Sequence, residues 1–285
     1  MWARHLFHAC QLDVAVAILR ARALRCRNEA GELLCDVANQ GALWNNPVAH
    51  NYARLYFRPR NSFHLKTEGI KRIGDPYRVD PHMSIPIMLA FDFAKVITLP
   101  ESGFLYGNFA HLGAQVLTGD VDFNKLDFSK IYHDAPTASD GDAIREARMS
   151  EVVVEGQVST GLINAIICRT VHDLATLKQA LPDLASQLPL RVERQSSVFQ
   201  KRGTYIRELY YSEGNIHVTL AYPHSGGLSN VNIRLSSELF DRAYTVNASR
   251  FQIPCVGADP QMVWTIHVEG CLAYRAPLPW EAGVF

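Results

Sequence analysis

No run of about eighteen apolar residues, the length a membrane-crossing helix needs, occurs in this 285-residue chain. The most apolar stretch, residues 84–99, carries Asp92 and Lys95 and is too short to span a bilayer. The opening Met1-Trp2-Ala3-Arg4-His5 has no apolar segment and no small-residue cleavage site, so a secretory signal is not expected and the chain reads as cytoplasmic, without a membrane partner. Net charge is missing too: 28 basic side chains face 28 acidic ones, which excludes a protein that coats nucleic acid by bulk positive charge and leaves only a local patch for such contacts. Cysteine is scarce. The six, Cys10, Cys26, Cys35, Cys168, Cys255 and Cys271, include no Cys-x-x-Cys pair and none at zinc spacing from a histidine. Neither a disulfide scaffold nor a metal site is expected, and the thiols read as reduced and mostly buried.

What is present is an ordinary globular composition, 48% apolar and 20% charged, in a length that suits one large domain or a medium domain with an appendage. Residues 5–10 read as a short strand, followed by a helix capped by Asp13 and ending near Leu24. Residues 36–51 have loop composition. Residues 52–58 read as a strand stopped by Pro59, residues 61–82 as irregular and basic, and residues 84–93 as a buried strand. A helix could open after Gly107-Asn108, and a short helical turn after Asp142. Residues 150–158 and 161–168 suggest strands, and residues 171–188 a helix. Beyond residue 200 the pattern turns to strands: 205–211 and 216–222 flank Ser212-Glu213-Gly214-Asn215, a hairpin signature, and 231–235, 251–256 and 263–274 follow. Tyr205, Arg207, Leu209 and Tyr211 would share one strand face.

Three pieces stand out together: His8-Ala9-Cys10 at a strand end, Tyr56-Phe57-Arg58-Pro59-Arg60-Asn61, and Arg148-Met149-Ser150-Glu151-Val152-Val153-Val154. In order and character they resemble the DarT family of DNA ADP-ribosyltransferase toxins, whose pattern is a His-x-Thr strand end, a Tyr-Phe-x-Pro-Arg-Asn segment and an Arg-Gln-Ala-Glu-Phe-Leu-Val strand bearing a catalytic glutamate. The resemblance spans roughly residues 4–200. It implies an α+β fold, an ADP-ribosyltransferase-like split β-sheet core with flanking helices, in residues 1–200, plus a β-rich C-terminal appendage of unassigned role in residues 201–285. It also implies NAD as co-substrate, single-stranded DNA as acceptor, and a toxin of a toxin–antitoxin or phage-defence pair whose partner is an ADP-ribosyl-glycohydrolase antitoxin.

The residue chemistry agrees with that assignment. Breaking the bond between ribose C1 and nicotinamide builds positive charge on the sugar, as in glycoside cleavage, so a carboxylate near the ribose is what helps. Glu151, at the head of a β-branched strand, suits that catalytic role. Arg60, launched from Pro59, could clamp the NAD pyrophosphate or orient the acceptor base; as a poor proton acceptor it would act by orientation and charge. His8, Ala9 and Cys10 would seat NAD, with Leu24 lining the same pocket; Cys10 stands where the family has threonine, which weakens any side-chain bond there. Arg54, Arg58, His133, Arg145, Arg148 and Met149 are candidate nucleic-acid contacts. Between Tyr52 and Arg78 there are seven basic residues (Arg54, Arg58, Arg60, Lys66, Lys71, Arg72, Arg78) against two acidic ones (Glu68, Asp75), with Phe57, Phe63 and Tyr77 interleaved, which suits phosphates and stacked bases. Met149 replaces the family's amide two residues before the glutamate, which favours guanine over thymine as the acceptor base. An RNA acceptor and a non-catalytic binding module are the alternatives.

Overall fold

The computed structural model describes residues 2–31, 45–72, 75, 82–135, 141–193, 198–221, 230–257 and 259–280. Cys35, Tyr77, Arg78, most of the 36–51 segment and residues 136–140 lie outside them. The chain packs as two compact units, the first from Met1–Leu65, Ile87–Ile167 and Ser197–Phe199, the second from Lys66–Pro86, Cys168–Ser196 and Gln200–Phe285. The units are thus interleaved along the chain rather than parted once near residue 200, because the second draws two earlier segments into its own packing.

In the first unit, β1 (His5–Gln11) leads into α1 (Leu12–Ala21) and β2 (Ala23–Arg25). After β3 (Tyr52–Tyr56) come α2 (Ser62–Thr67), β4 (Pro86–Asp92), α3 (Phe93–Ile97), β5 (Ser102–Leu105), α4 (Asp120–Phe123), α5 (Phe128–Ile131) and α6 (Gly141–Ala147). Then follow β6 (Glu151–Glu155), β7 (Gln157–Ser159) and β8 (Ile163–Cys168). Six strands lie side by side in the order β5-β6-β3-β1-β4-β8. β4 is buried from Pro86 through Phe91, as expected of an apolar run in the middle of a sheet covered on both faces. The helix after β1 begins at Leu12 rather than being capped by Asp13, whose carboxylate accepts from Val14 N at 2.9 Å. It buries Leu12, Ala15, Ile18 and Leu19, one face at helical spacing. It stops at Arg22, which adopts the left-handed conformation (φ 54°) and gives its N–H to the carbonyls of Ile18 and Leu19. Leu24 therefore sits not at a helix end but on β2, paired with Val158 of β7.

Two glycines shape the edge of this sheet. Gly156 (φ 74°) breaks the expected 150–158 strand into β6 and β7. A Cβ on Gly103 would come within 2.3 Å of the Val116 side chain, so only glycine lets the returning segment pair Phe104 with Leu117. The expected helix after Gly107-Asn108 is replaced by that returning loop. Phe123 is the hub of an aromatic cluster, with ring centroids 5.3 Å from Phe104, 5.6 Å from Phe128 and 6.3 Å from Phe93; Phe128 in turn lies 5.8 Å from Phe57.

The second unit holds α7 (Val171–Ala180), β9 (Leu190–Val192), a three-stranded sheet of β10 (Tyr205–Ser212), β11 (Asn215–Ala221) and β14 (Arg250–Pro254), and a four-stranded sheet of β12 (Val231–Ser236), β13 (Asp241–Val246), β15 (Val263–Val268) and β16 (Cys271–Pro277). The helix ends at Ala180, short of the expected residue 188. The expected 212–215 hairpin forms, turning at Glu213 and Gly214 with φ 49° and 76°. A second turn of the same kind at Glu269-Gly270 divides the expected 263–274 strand into β15 and β16. A bulge between Ile206 and Glu208 changes the parity of β10, so Ile206, Leu209 and Tyr211 face the core while Arg207 is exposed; the predicted shared face does not form. Of the thiols, Cys10, Cys26, Cys168 and Cys255 are reduced and buried, and Cys271 is reduced and half-buried. No helix among the described residues is long and apolar enough to cross a membrane.

Glu68, one of the two acids of the basic 52–78 segment, is buried in this unit and accepts the backbone N–H groups of Gln200 and Lys201, both at 2.7 Å. Burial raises its pKa from 4.5 to about 7, against the opposing charge of Arg169. The sign follows from linkage. Between pH 4.5 and about 7 the folded state binds the extra proton, so this group's contribution is fully present at the acid end and is lost as pH rises. Urea-unfolding midpoints are expected to fall across that window and Glu68→Gln to flatten the fall; an unchanged slope in the variant would refute it.

Candidate active site

The Tyr-Phe-Arg-Pro-Arg-Asn segment is a strand-to-helix turn. Pro59 follows the end of β3, and Asn61 caps α2, its side chain accepting His64 N at 3.0 Å and its carbonyl accepting Leu65 N at 3.1 Å. His64 Nδ1 hydrogen-bonds the Pro59 carbonyl. With the backbone held on both sides, Arg58 and Arg60 leave it in fixed directions.

Glu151 begins β6, directly across from Tyr56 of β3, and is completely buried. Its carboxylate takes a forked ion pair from Arg54, Nε to Oε2 and Nη2 to Oε1, both at 2.6 Å. The loop that returns over Gly103 adds Phe109 N, donating to Oε1 at 3.2 Å, and Asn108, whose Oδ1 accepts Arg54 Nη2 at 2.8 Å. Burial disfavours the charge on Arg54, but the Glu151 carboxylate outweighs it and holds the guanidinium pKa above its usual value. Tyr56 is held neutral by burial first and by the Glu151 charge second. His8 hydrogen-bonds through Nδ1 to the Arg54 carbonyl at 3.1 Å. A carbonyl only accepts, so Nδ1 carries the proton; burial lowers the His8 pKa, and Nε2 is left a bare acceptor.

A second cluster gathers around Asp134. Arg58 Nη2 reaches Asp134 Oδ1 at 2.8 Å and Arg60 pairs with Oδ2. Arg58 Nη1 also donates to the carbonyls of His133 (2.5 Å) and Ile131 (3.3 Å), and Arg148 to those of His133 and Ala135, both at 2.8 Å. Arg58 and Arg60 both lie over the Trp2 ring, 5.0 and 5.4 Å from its centroid. Two guanidiniums share this carboxylate, and a third, that of Arg148, lies beside them on the His133 and Ala135 carbonyls. Burial first and the neighbouring Arg148 charge second bring the Arg58 pKa down to about 10.

The structure thus divides the sequence-predicted residues. His8, Arg54 and Glu151 form one group, and Arg58, Arg60, His133 and Arg148 form another. Arg54, expected to face nucleic acid, is committed to Glu151 and Asn108. Met149 is buried, with its sulfur accepting Ser62 Oγ at 3.0 Å, and so faces packing rather than a base. Arg145 is exposed on α6 and paired with Asp142. Ala9 and Cys10 are buried in β1, the Cys10 thiol directed at the Ile87 carbonyl 3.9 Å away, and Leu24 is buried on β2. Of the expected basic run, Lys71 is buried against the Lys66 carbonyl and Arg72 pairs with Asp75, so the run is not one continuous patch. The sequence reading missed Trp2, Asn108, Phe109 and Asp134. Only the Gly107-Asn108 turn signal hinted at the loop that carries two of them.

DarT of Thermus sp. 2.9 in complex with NAD+ aligns with a TM-score of 0.54 at 16% identity, covering 67% of this chain and 96% of that one. The same protein in complex with ADP-ribosylated ssDNA gives 0.57 at 16% identity, covering 69% and 96%. At that identity the likeness concerns the fold. No curated protein matches the chain. The family described as "ssDNA thymidine ADP-ribosyltransferase, DarT" matches residues 34–200, more than half of the sequence and inclusive of both the Arg60 turn and the Glu151 strand. The chain belongs to the DarT family of single-stranded-DNA thymidine ADP-ribosyltransferases.

Proposed function

We propose that the acceptor is a thymine base of single-stranded DNA, that Glu151 stabilises the charge developing on the NAD ribose, and that Arg60 orients the acceptor. The observation that carries this reading is the buried, fork-paired carboxylate at the head of β6. A carboxylate offers about four acceptor positions. Arg54 and Phe109 fill three, which leaves one on Oε2 for a ribose hydroxyl. The clustered guanidiniums of Arg58, Arg60 and Arg148 suit a pyrophosphate or a DNA phosphate, so the residues fit NAD and a strand. NAD supplies the pentosyl group and a leaving nicotinamide that departs neutral. His8 Nε2 can accept a hydrogen bond from that substrate, and Arg60 acts by direction and charge, because a guanidinium is a poor base.

Thymine is preferred because the argument for guanine rested on Met149, and that side chain is packed away. The family description supports the same base. The family match over residues 34–200 supports placing the transfer chemistry in that part of the chain. A modified template base blocks copying, which supports a toxin or phage-defence role paired with an ADP-ribosyl-removing antitoxin.

Single-stranded oligonucleotides of defined base content, incubated with labelled NAD, test the reading. Label is expected on thymine-containing DNA and not on thymine-free DNA or on RNA of matched sequence. Label on thymine-free, guanine-containing strands would overturn the base assignment.

A further inference from the structure

We propose that Arg54 is a positioning residue for the transfer reaction, holding the Glu151 carboxylate ionised and turned so that its one remaining acceptor position is offered to the ribose. The inference rests on the role given to Glu151 above and adds a residue to it.

The sheet register explains why an arginine is needed. Arg54 pairs with Val153, and Tyr56 pairs with Glu151, so Arg54 and Glu151 are diagonal neighbours on one face. That separation is about 7 Å between Cβ atoms, and a long side chain bridges it. The planar fork then contacts both carboxylate oxygens and fixes the plane of the group, which a point charge would not. Arg54 is itself held at two places, by Asn108 Oδ1 on its Nη2 and by the His8 ring on its carbonyl. His8, the expected NAD seat, is therefore joined through Arg54 to the carboxylate.

Burial explains why the charge is needed. Glu151 has no solvent exposure, and an isolated carboxylate there would take up a proton rather than stay charged. The groups facing it are Arg54 and Tyr56 from β3, with His8 behind Arg54 on β1, and the Phe109 N–H from the loop after β5. Tyr56 is held neutral and the His8 pKa is lowered, so Arg54 supplies the compensating positive charge.

The test is transfer to a thymine-containing oligonucleotide over a range of NAD concentrations, with kcat and KM measured for the wild type, R54K, R54Q, R54M and E151Q, and with active sites counted by NAD binding. For R54M, kcat per active site is expected to fall about a hundredfold, with a smaller change in KM for NAD. R54Q, which retains hydrogen bonding but not the charge, is expected to show the same split and carries the test if R54M does not fold. R54K, which keeps the charge but not the fork, is expected to recover only part of kcat. A purely structural role would reduce the number of active sites without changing kcat per site. A kcat per site within about threefold of wild type in R54M or R54Q would overturn the proposal while E151Q remains inactive. Activity in E151Q would instead overturn the assignment of Glu151.

Discussion

Glu151→Gln is expected to reduce transfer about a thousandfold while the protein still folds. The substitution keeps the shape and one acceptor oxygen, so Phe109 N can retain its partner. It removes the negative charge that faces the developing positive sugar, and it presents an NH2 to the Arg54 fork, which has only donors. The Arg54 side chain is 23% exposed and can regain water, so the loss of stability should be about 1–2 kcal/mol, less than for a wholly enclosed pair. Label incorporation into oligonucleotides, read beside a thermal midpoint, separates the two effects. Transfer within about tenfold of wild type would remove Glu151 from the chemistry.

Arg169→Met should bring the largest loss of stability, about 3–5 kcal/mol. Arg169 and Asp173 are both 3% exposed, and Arg169 Nε meets Asp173 Oδ2 at 3.2 Å. The same guanidinium donates to the Ser84 carbonyl at 3.1 Å and lies 4.3 Å from the Tyr205 ring centroid. Methionine fills much of the volume but leaves a buried acid without its cation. Burial already raises the Asp173 pKa, so the penalty should shrink in acid, where the neutral form is reached. Arg169→Met combined with Asp173→Leu removes both charges and should recover most of the loss. Urea unfolding of the single and double variants measures this, and a single-variant cost below about 1 kcal/mol would contradict it.

The sequence made the local devices readable and hid the distant ones. The Pro59 stop, the β-branched strand after Glu151 and the Glu213-Gly214 turn each depend on a few neighbouring residues, and each appears in the structure. The partner of Glu151 is 97 positions away and was read as a DNA contact, because charge alone does not reveal which carboxylate an arginine meets. β13 escaped notice because its residues are mostly exposed and lack apolar alternation. The end of α1 was misplaced because its left-handed stop is Arg22 rather than a glycine. The bulge at Ile206–Glu208 defeated a strict period of two.

The interleaving of the two units bears on how the protein is made. Ile70 belongs to the same buried cluster as Leu220, Trp264 and Tyr274, and it pairs through its backbone with Thr204. Thr176 Oγ1 accepts from Arg275 N, 99 positions later. On the ribosome, residues 66–86 and 168–196 emerge well before the strands that complete their core. At about 5–20 residues per second, those segments remain without native neighbours for several seconds. Folding of this unit therefore waits for β15 and β16, and the nascent chain carries apolar side chains such as Ile70 uncovered until those strands emerge.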